Sequence, residues 1–422
     1  MNNTFRDAGR AQGQTILLRS GWQTINIGDI AHTPGILRLL EKHLPDANVI
    51  LWPKSLDRGV EPMLRKRFPR LRIVRDASTW HNPEPRSDDP TIEAAMAEAS
   101  LWLHGSGSGI NESGDLERWR ETTGKPYGIF GASIGVVIGV PDQQEPVLPN
   151  SVRRILEGAA FVFTRETRSL AAIRQAGIRC QHMEFAPDAT FALDLRNEAA
   201  ARKLLQSAGL EPDRFLCAIP RLRITPYWEL LPDGKPHSEE AARKKEVNQK
   251  YVASDHEKMR TAITAWVRET GLKVLLCPEM TYQVDLFRPY LYDPLPADVK
   301  EKVVPMDRYW LTDEAASVYR QARAVISMEC HSPIIANAND RPGIYLRQPE
   351  DTWKGQMYPD LGLGAWKLEI HSASGEEIAE RLLSVHTQYD EAQAQVRRAA
   401  ALAASLQSRA MAVVSRTLKA AA

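Results

Sequence analysis

A chain of 422 residues exceeds what one ordinary hydrophobic core organises, so two domains are expected. Lys plus Arg number 54 against 53 Asp plus Glu, a net charge of +1, which argues against a nucleic-acid partner; the cluster Arg65-Lys66-Arg67 reads as a solvated helix face. Cys180, Cys217, Cys277 and Cys330 stand far apart without a CxxC pair, so neither a zinc knuckle nor a disulfide framework is expected and a reducing compartment fits. Met1–Gln14 is polar, and no stretch approaches the roughly 18 apolar residues of a membrane span. The expected location is the cytoplasm, with no integral membrane segment and, at most, peripheral contact with a membrane.

The first strand is Thr15–Arg19, followed by the polar loop Gly21–Asp29 and a helix from about His32 to His43. Gly28 reaches backbone angles closed to other residues, and the helix start behind it offers N–H groups to an anion; a plain strand-to-helix turn is the alternative. Val49–Trp52 and Leu71–Val74 are further strands around a basic helix near Pro62–Phe68. A Pro- and Asp-rich loop over Pro83–Pro90 precedes the helix Ile92–Ala99. Leu101–His104 is a strand opening into Gly105-Ser106-Gly107-Ser108-Gly109, where missing side chains let a ligand approach the backbone. Tyr127–Gly135 and Phe161–Glu166 repeat the pattern of strand and small or polar loop. The helix Leu170–Ala176 follows, and the extended segment Phe185–Leu193 closes the first half.

The second half restarts with the strand Phe215–Pro220, ending at Arg221 and Arg223. Thr225–Ser254 is polar, rich in Lys and Glu, and reads as an inserted loop or a lid. A helix over His256–Thr270 leads to the strand Lys273–Cys277, and Val303–Met306 and a helix over Asp313–Ala322 lead to the strand ending in Ile326-Ser327-Met328-Glu329-Cys330-His331. Gly343–Leu346, ending at Arg347, is the next strand. Glu376–Leu418 is Ala-rich and helical. Alternating strands and helices predict an α/β fold of two similar domains facing a cleft, at 1–195 and 205–385, with a helix over 386–422 packing across the body. In such parallel sheets ligands sit at the carboxyl ends of strands, which singles out Glu329 and His331. His331 titrates near neutral pH and is the candidate acid or base; a satisfied core histidine is the alternative. Were the strand to continue, Glu329 and His331 would share one side of it. Cys330 reads as inert packing.

Six motifs in order resemble those of the polysaccharide pyruvyl transferase family: Asn26-Ile27-Gly28-Asp29, His104-Gly105-Ser106-Gly107, Ser133-Ile134-Gly135, Arg165-Glu166-Thr167-Arg168-Ser169, Pro187-Asp188-Ala189-Thr190-Phe191 and Ser327-Met328-Glu329-Cys330-His331. The resemblance implies two Rossmann-like domains in a GT-B-like arrangement, phosphoenolpyruvate as donor, a sugar or lipid-linked glycan as acceptor, a pyruvate ketal as product, and neither metal nor cofactor. On this reading His331 and Glu329 are catalytic. Arg221, Arg223, Arg347 and Ser327 face the donor, while Asn26, Gly28, Asp29, Gly105, Ser106 and Gly107 face the acceptor; Arg165 is structural. Where the family has arginine and leucine before the histidine, this chain has Glu329 and Cys330. A carboxylate about 4 Å from a donor charge costs roughly 4 kcal/mol at an effective dielectric near 20, so either another cation neutralises it or the donor differs. A GT-B-like transferase with a nucleotide-sugar donor and a non-catalytic glycan- or nucleotide-binding protein are the competing readings.

Overall fold

A computed structural model describes residues 14–75, 87–137, 139–232 and 234–421. The first half of the expected loop over Pro83–Pro90 lies outside them. Among the described residues, thirteen strands form two all-parallel sheets. In the first, Thr15–Arg19 (β1), Asn48–Trp52 (β2), Arg72–Ile73 (β3), Leu101–His104 (β4), Tyr127–Ala132 (β5), Phe161–Thr164 (β6) and Met183–Phe185 (β7) take the order β3-β2-β1-β4-β5-β6-β7. In the second, Phe215–Ile219 (β8), Lys273–Leu276 (β9), Val303–Pro305 (β10), Ala324–Ser327 (β11), Gly343–Arg347 (β12) and Lys367–Glu369 (β13) take the order β10-β9-β8-β11-β12-β13. Both are doubly wound. Each reverses direction between its first and fourth strands, β1 and β4 in one and β8 and β11 in the other, and such switch points open crevices at the strand ends.

The central strands are apolar without alternation because helices cover both faces: every residue of β1, β4, β8 and β11 is buried. The helix Ile27–His43 carries this logic across the domain boundary, packing on the turn Ala189–Ala192 and on the second-domain helices Thr312–Tyr319 and His331–Asn337. Its close approach needs Gly35, where a Cβ would collide with the Ala189 carbonyl oxygen. Backbone hydrogen bonds join the domains at this helix's start: Ile27 N donates to Glu279 O at 2.9 Å and Thr281 N to Ile25 O at 3.0 Å. The C-terminal helix Tyr389–Ala420 buries Ala392, Val396, Ala399, Ala403, Ala410 and Val414 at helical spacing and returns to the first domain, where Gln407 Nε2 donates to Asp188 O at 2.9 Å.

Two expectations change. The Lys- and Glu-rich stretch after Thr225 is mostly helix, not loop: a short turn at Tyr227–Leu230, then one helix from Glu239 to Thr270. Ser238 caps it, accepting from Ala241 N at 3.1 Å, and no glycine or proline interrupts it. Strand β11 stops at Ser327, and His331 begins a helix rather than ending a strand. Glu329 and His331 therefore meet the cleft through a turn.

Candidate active site

Between the two switch points lies a cleft of about 610 Å³, counting the space open to solvent. Asn26, Asp29, Ser108 and Arg165 line it from the first domain, and Arg221, Tyr227, Glu329, His331, Asp351 and Lys354 from the second. His331 sits at its base, nearly buried. Its Nδ1 lies 3.7 Å from Glu279 Oε1, while its Nε2 lies 3.6 Å from Asp188 Oδ2 and 3.3 Å from His32 Nε2. Glu279 is held in turn by Ser332, whose N and Oγ donate to Oε2 at 2.6 and 2.7 Å. Burial disfavours the imidazolium, but the Asp188 and Glu279 carboxylates outweigh it and raise the His331 pKa to about 9. Burial likewise opposes ionisation of Asp188; the imidazoles of His32 and His331 prevail and hold it well below the usual carboxylate range. His331 is cationic at neutral pH.

The glycine of the first motif is explained by this histidine. Gly28 lies within the helix Ile27–His43, and a Cβ there would meet His331 Cγ at 2.6 Å and Nδ1 at 2.7 Å. Close packing, not an unusual backbone angle, requires glycine. Asn26 caps the same helix, its Oδ1 accepting from Gly28 N at 2.6 Å. Asp29 faces the cleft with Gln23 donating to its carboxylate.

Arg165 belongs to a second buried set. Its Nη1 lies 3.3 Å from Asp188 Oδ2 and its Nε donates to Ser133 Oγ at 2.7 Å. Ser133 reaches Glu166 Oε2 at 3.1 Å, and Ser169, which also bonds Glu166, accepts from Ile134 N at 2.8 Å. Burial pushes the Glu166 pKa up to about 7 despite Arg165. Three motifs far apart in sequence thus assemble around one guanidinium that is both structural and open to the cleft.

On the second-domain wall, Arg221 lies between two carboxylates, with Nε 3.3 Å from Glu329 Oε1 and Nη1 2.8 Å from Asp351 Oδ2. Lys354 Nζ sits 3.1 Å from Asp351 Oδ1. Glu329 also accepts from Gln283 Nε2 at 2.9 Å. Burial pushes its pKa up to about 7, with Arg221 opposing. The carboxylate that replaces the family's arginine is therefore answered by a cation from β8's end.

Not every residue singled out in the sequence faces this space. Arg347 is turned away, with Nη1 3.1 Å from Asp142 Oδ1 and 2.8 Å from Glu369 Oε2. Ser327 Oγ instead accepts from Glu329 N at 2.8 Å, shaping the turn. Arg223 lines the cleft but makes a two-pronged pair with Asp255 at 2.7 and 3.0 Å, its guanidinium 3.6 Å from the Tyr251 ring centre. Gly105, Ser106 and Gly107 lie behind the wall, where Ser106 Oγ accepts from Ala189 N at 3.1 Å; Ser108 is the loop residue that lines the cleft. Lys354, Asp351, His32 and Tyr227 were not among the site residues expected from the sequence. Lys354 has a faint signal, a cation three residues after an acid in the loop following β12.

Among the described residues, Asp29, His32 and His331 bring donor atoms within 4.8 Å of one another. A ligating imidazole must be unprotonated, so an ion there would compete with the proton that Asp188 and Glu279 favour on His331.

The family model for polysaccharide pyruvyl transferase matches residues 26–348. None of the curated proteins matches the chain. Among solved structures, UDP-GlcNAc 2-epimerase from Neisseria meningitidis bound to UDP-GlcNAc is similar with a TM-score of 0.53 at 9% identity, over 91% of this chain and 94% of that one. A UGT transferase from Siraitia grosvenorii in complex with UDP gives 0.50 at 12% identity over 92% and 94%, and α,α-trehalose-6-phosphate synthase from Burkholderia multivorans 0.50 at 10% over 97% and 98%. At such identities the likeness shows the GT-B-like fold alone. Matched over most of its length, the chain belongs to the polysaccharide pyruvyl transferase family.

Proposed function

We propose that the protein moves a pyruvyl group from phosphoenolpyruvate to a sugar acceptor in glycan or exopolysaccharide biosynthesis. The supporting observation is a buried imidazolium at the base of a cleft whose walls carry Arg165, Arg221 and Lys354. The carboxylate and phosphate of the donor meet these cations, with guanidinium forks suited to both groups. His331 gives its proton to the methylene carbon, and the adjacent carbon, now cationic, is attacked by one acceptor hydroxyl. Phosphate departs and a second hydroxyl closes the ketal. Of the two hydroxyl protons, one returns to His331 to replace the proton now on carbon and the other leaves with phosphate. Asp29 orients an acceptor hydroxyl, and Glu329, with a pKa of about 7, is placed to relay the hydroxyl proton that leaves with phosphate. Arg221 stands beside Glu329 as a neutralising cation, so this carboxylate repels the donor less than it would alone.

The test is a thermal melt with phosphoenolpyruvate at millimolar concentration. At a hundredfold excess over Kd, stabilisation reaches about 2.7 kcal/mol. The shift should vanish in Lys354→Met, and no shift in the native protein would end the phosphoenolpyruvate reading.

A further inference from the structure

We propose that His32, His331 and Asp188 form a binding site for a divalent cation of the zinc class, and that an ion held there switches the reaction centre off. The site stands on geometry; the switch rests on the transferase reading above. Three atoms from separate segments converge. His32 Nε2 lies 3.3 Å from His331 Nε2 and 3.1 Å from Asp188 Oδ2, and His331 Nε2 lies 3.6 Å from the same oxygen. Ligands of a tetrahedral zinc, bound at about 2.0–2.1 Å, stand roughly 3.3–3.4 Å apart. The triangle therefore has the dimensions of one face of a zinc tetrahedron, and the fourth corner falls to Asp29, directly or through a water. Asp29 precedes His32 by three residues in the helix Ile27–His43, so both share one helix face, and its carboxylate comes within 4.8 Å of a nitrogen of each imidazole.

The surroundings support an ion. Glu279 Oε1 faces His331 Nδ1 at 3.7 Å, the carboxylate–histidine arrangement that aims the other ring nitrogen at a metal, and Ser332 fixes Glu279 in turn. Asp188 Oδ1 accepts from Thr190 N at 2.9 Å and from Thr190 Oγ1 at 2.8 Å, which leaves Oδ2 to the imidazoles and to Arg165 Nη1 at 3.3 Å. Three carboxylates, Asp29, Asp188 and Glu279, against the one guanidinium of Arg165 leave negative charge for a dication. Two imidazoles suit zinc, cobalt or nickel, whereas magnesium and calcium take shells of oxygen. His32 and Asp188 are fully buried, while Asp29 and His331 line the cleft and give the ion its way in. As the metal–nitrogen bond forms, the His331 proton leaves to solvent. With Nε2 on the ion and Nδ1 turned to Glu279, the ring has no N–H left for a substrate.

The experiment uses the full chain, stripped with a chelator and titrated with cobalt or zinc. Cobalt should develop the intense visible bands of a four-coordinate ion, and calorimetry should give one zinc per chain with a Kd of about 1 µM or tighter. X-ray absorption at the zinc edge should show imidazole and oxygen neighbours without sulfur. His32→Gln should weaken binding at least about 100-fold and Glu279→Gln about tenfold, with unliganded melts establishing that both fold. Combining His237→Ala, His371→Ala and Cys180→Ser removes donors elsewhere on the molecule and should change neither spectrum nor affinity. A Kd weaker than about 100 µM, a sulfur neighbour at the zinc edge, or binding that survives His32→Gln overturns the site; the first two need no variant. Saturating zinc should lower turnover by at least about 100-fold, with recovery on chelation, and turnover unchanged by zinc overturns the switch. Zinc binding without a phosphoenolpyruvate melting shift defeats the transferase reading and leaves the site standing; the reverse defeats the site alone.

Discussion

His104 and His331 occupy equivalent places. The first ends β4 and the second follows β11, the strands that border the switch points of their sheets. Both are nearly inaccessible, yet their charges differ. The ring nitrogens of His104 meet backbone carbonyls, Gly105 O at 2.7 Å and Asn111 O at 3.2 Å, and burial pushes its pKa down to about 4. His331 is equally buried, but Asp188 and Glu279 take it up to about 9. Topology brings a histidine near the switch point of each domain; carboxylates contributed by other segments decide which one carries a proton.

The sharpest way to break this contrast is to remove the carboxylates. Asp188→Asn should lower turnover by about 10²–10⁴-fold at neutral pH, the range of general acid catalysis, as should His331→Ala. Asp188→Asn should also cost roughly 3–5 kcal/mol in urea unfolding, since Arg165 is left buried beside a neutral group; full stability and activity would refute the assignment. The pH dependence of stability distinguishes the two histidines by sign. His331, with its raised folded pKa, stabilises fully below an unfolded value near 6.5, and the contribution, about 3 kcal/mol, is lost as pH rises through 9. His104, with its lowered folded pKa, contributes above 6.5 and loses a similar amount, about 3 kcal/mol, as pH falls toward 4. Urea melts of native protein, His331→Gln and His104→Asn from pH 4 to 9.5 should show the alkaline loss absent in one variant and the acid loss absent in the other.

Smaller effects sharpen the geometry. Gly28→Ala places a methyl against the imidazole and should cost about 1–3 kcal/mol and displace His331, with turnover reduced well beyond any change in donor affinity. Glu329→Gln releases Arg221 from one of its two carboxylates, and phosphoenolpyruvate should bind about tenfold more tightly, near 1.4 kcal/mol by titration calorimetry, while turnover falls. Arg347→Ala should leave the donor-induced melting shift unchanged, because its ion pairs face away from the cleft; a lost shift would return Arg347 to the donor site.

Much of this was legible beforehand. Buried strands announce themselves as unbroken apolar runs such as Phe215–Ile219, so the two α/β domains and the placement of His331 shortly after a strand follow from local pattern. Arg221 was found by the same rule. The Lys- and Glu-rich stretch misled because a solvated helix and a polar loop share a composition, and the decisive signals, Ser238 as a cap and the absence of Gly and Pro, are sparse. Arg347 misled because a strand end gives a residue's address but not the direction of its side chain. Lys354 escaped because its signal, a single cation three residues after an acid in a short helical turn, is too weak to single it out.

The amino-acid order alone determined the architecture and the family's ordered motifs, since hydrophobic periodicity and short signatures are local properties. Only the folded chain decided that Gly28 makes room for His331, that Arg221 answers Glu329, and that Asp188 and Glu279 keep an imidazole charged. These groups come from segments far apart in sequence, and electrostatic energy depends on distances in space that no local pattern encodes.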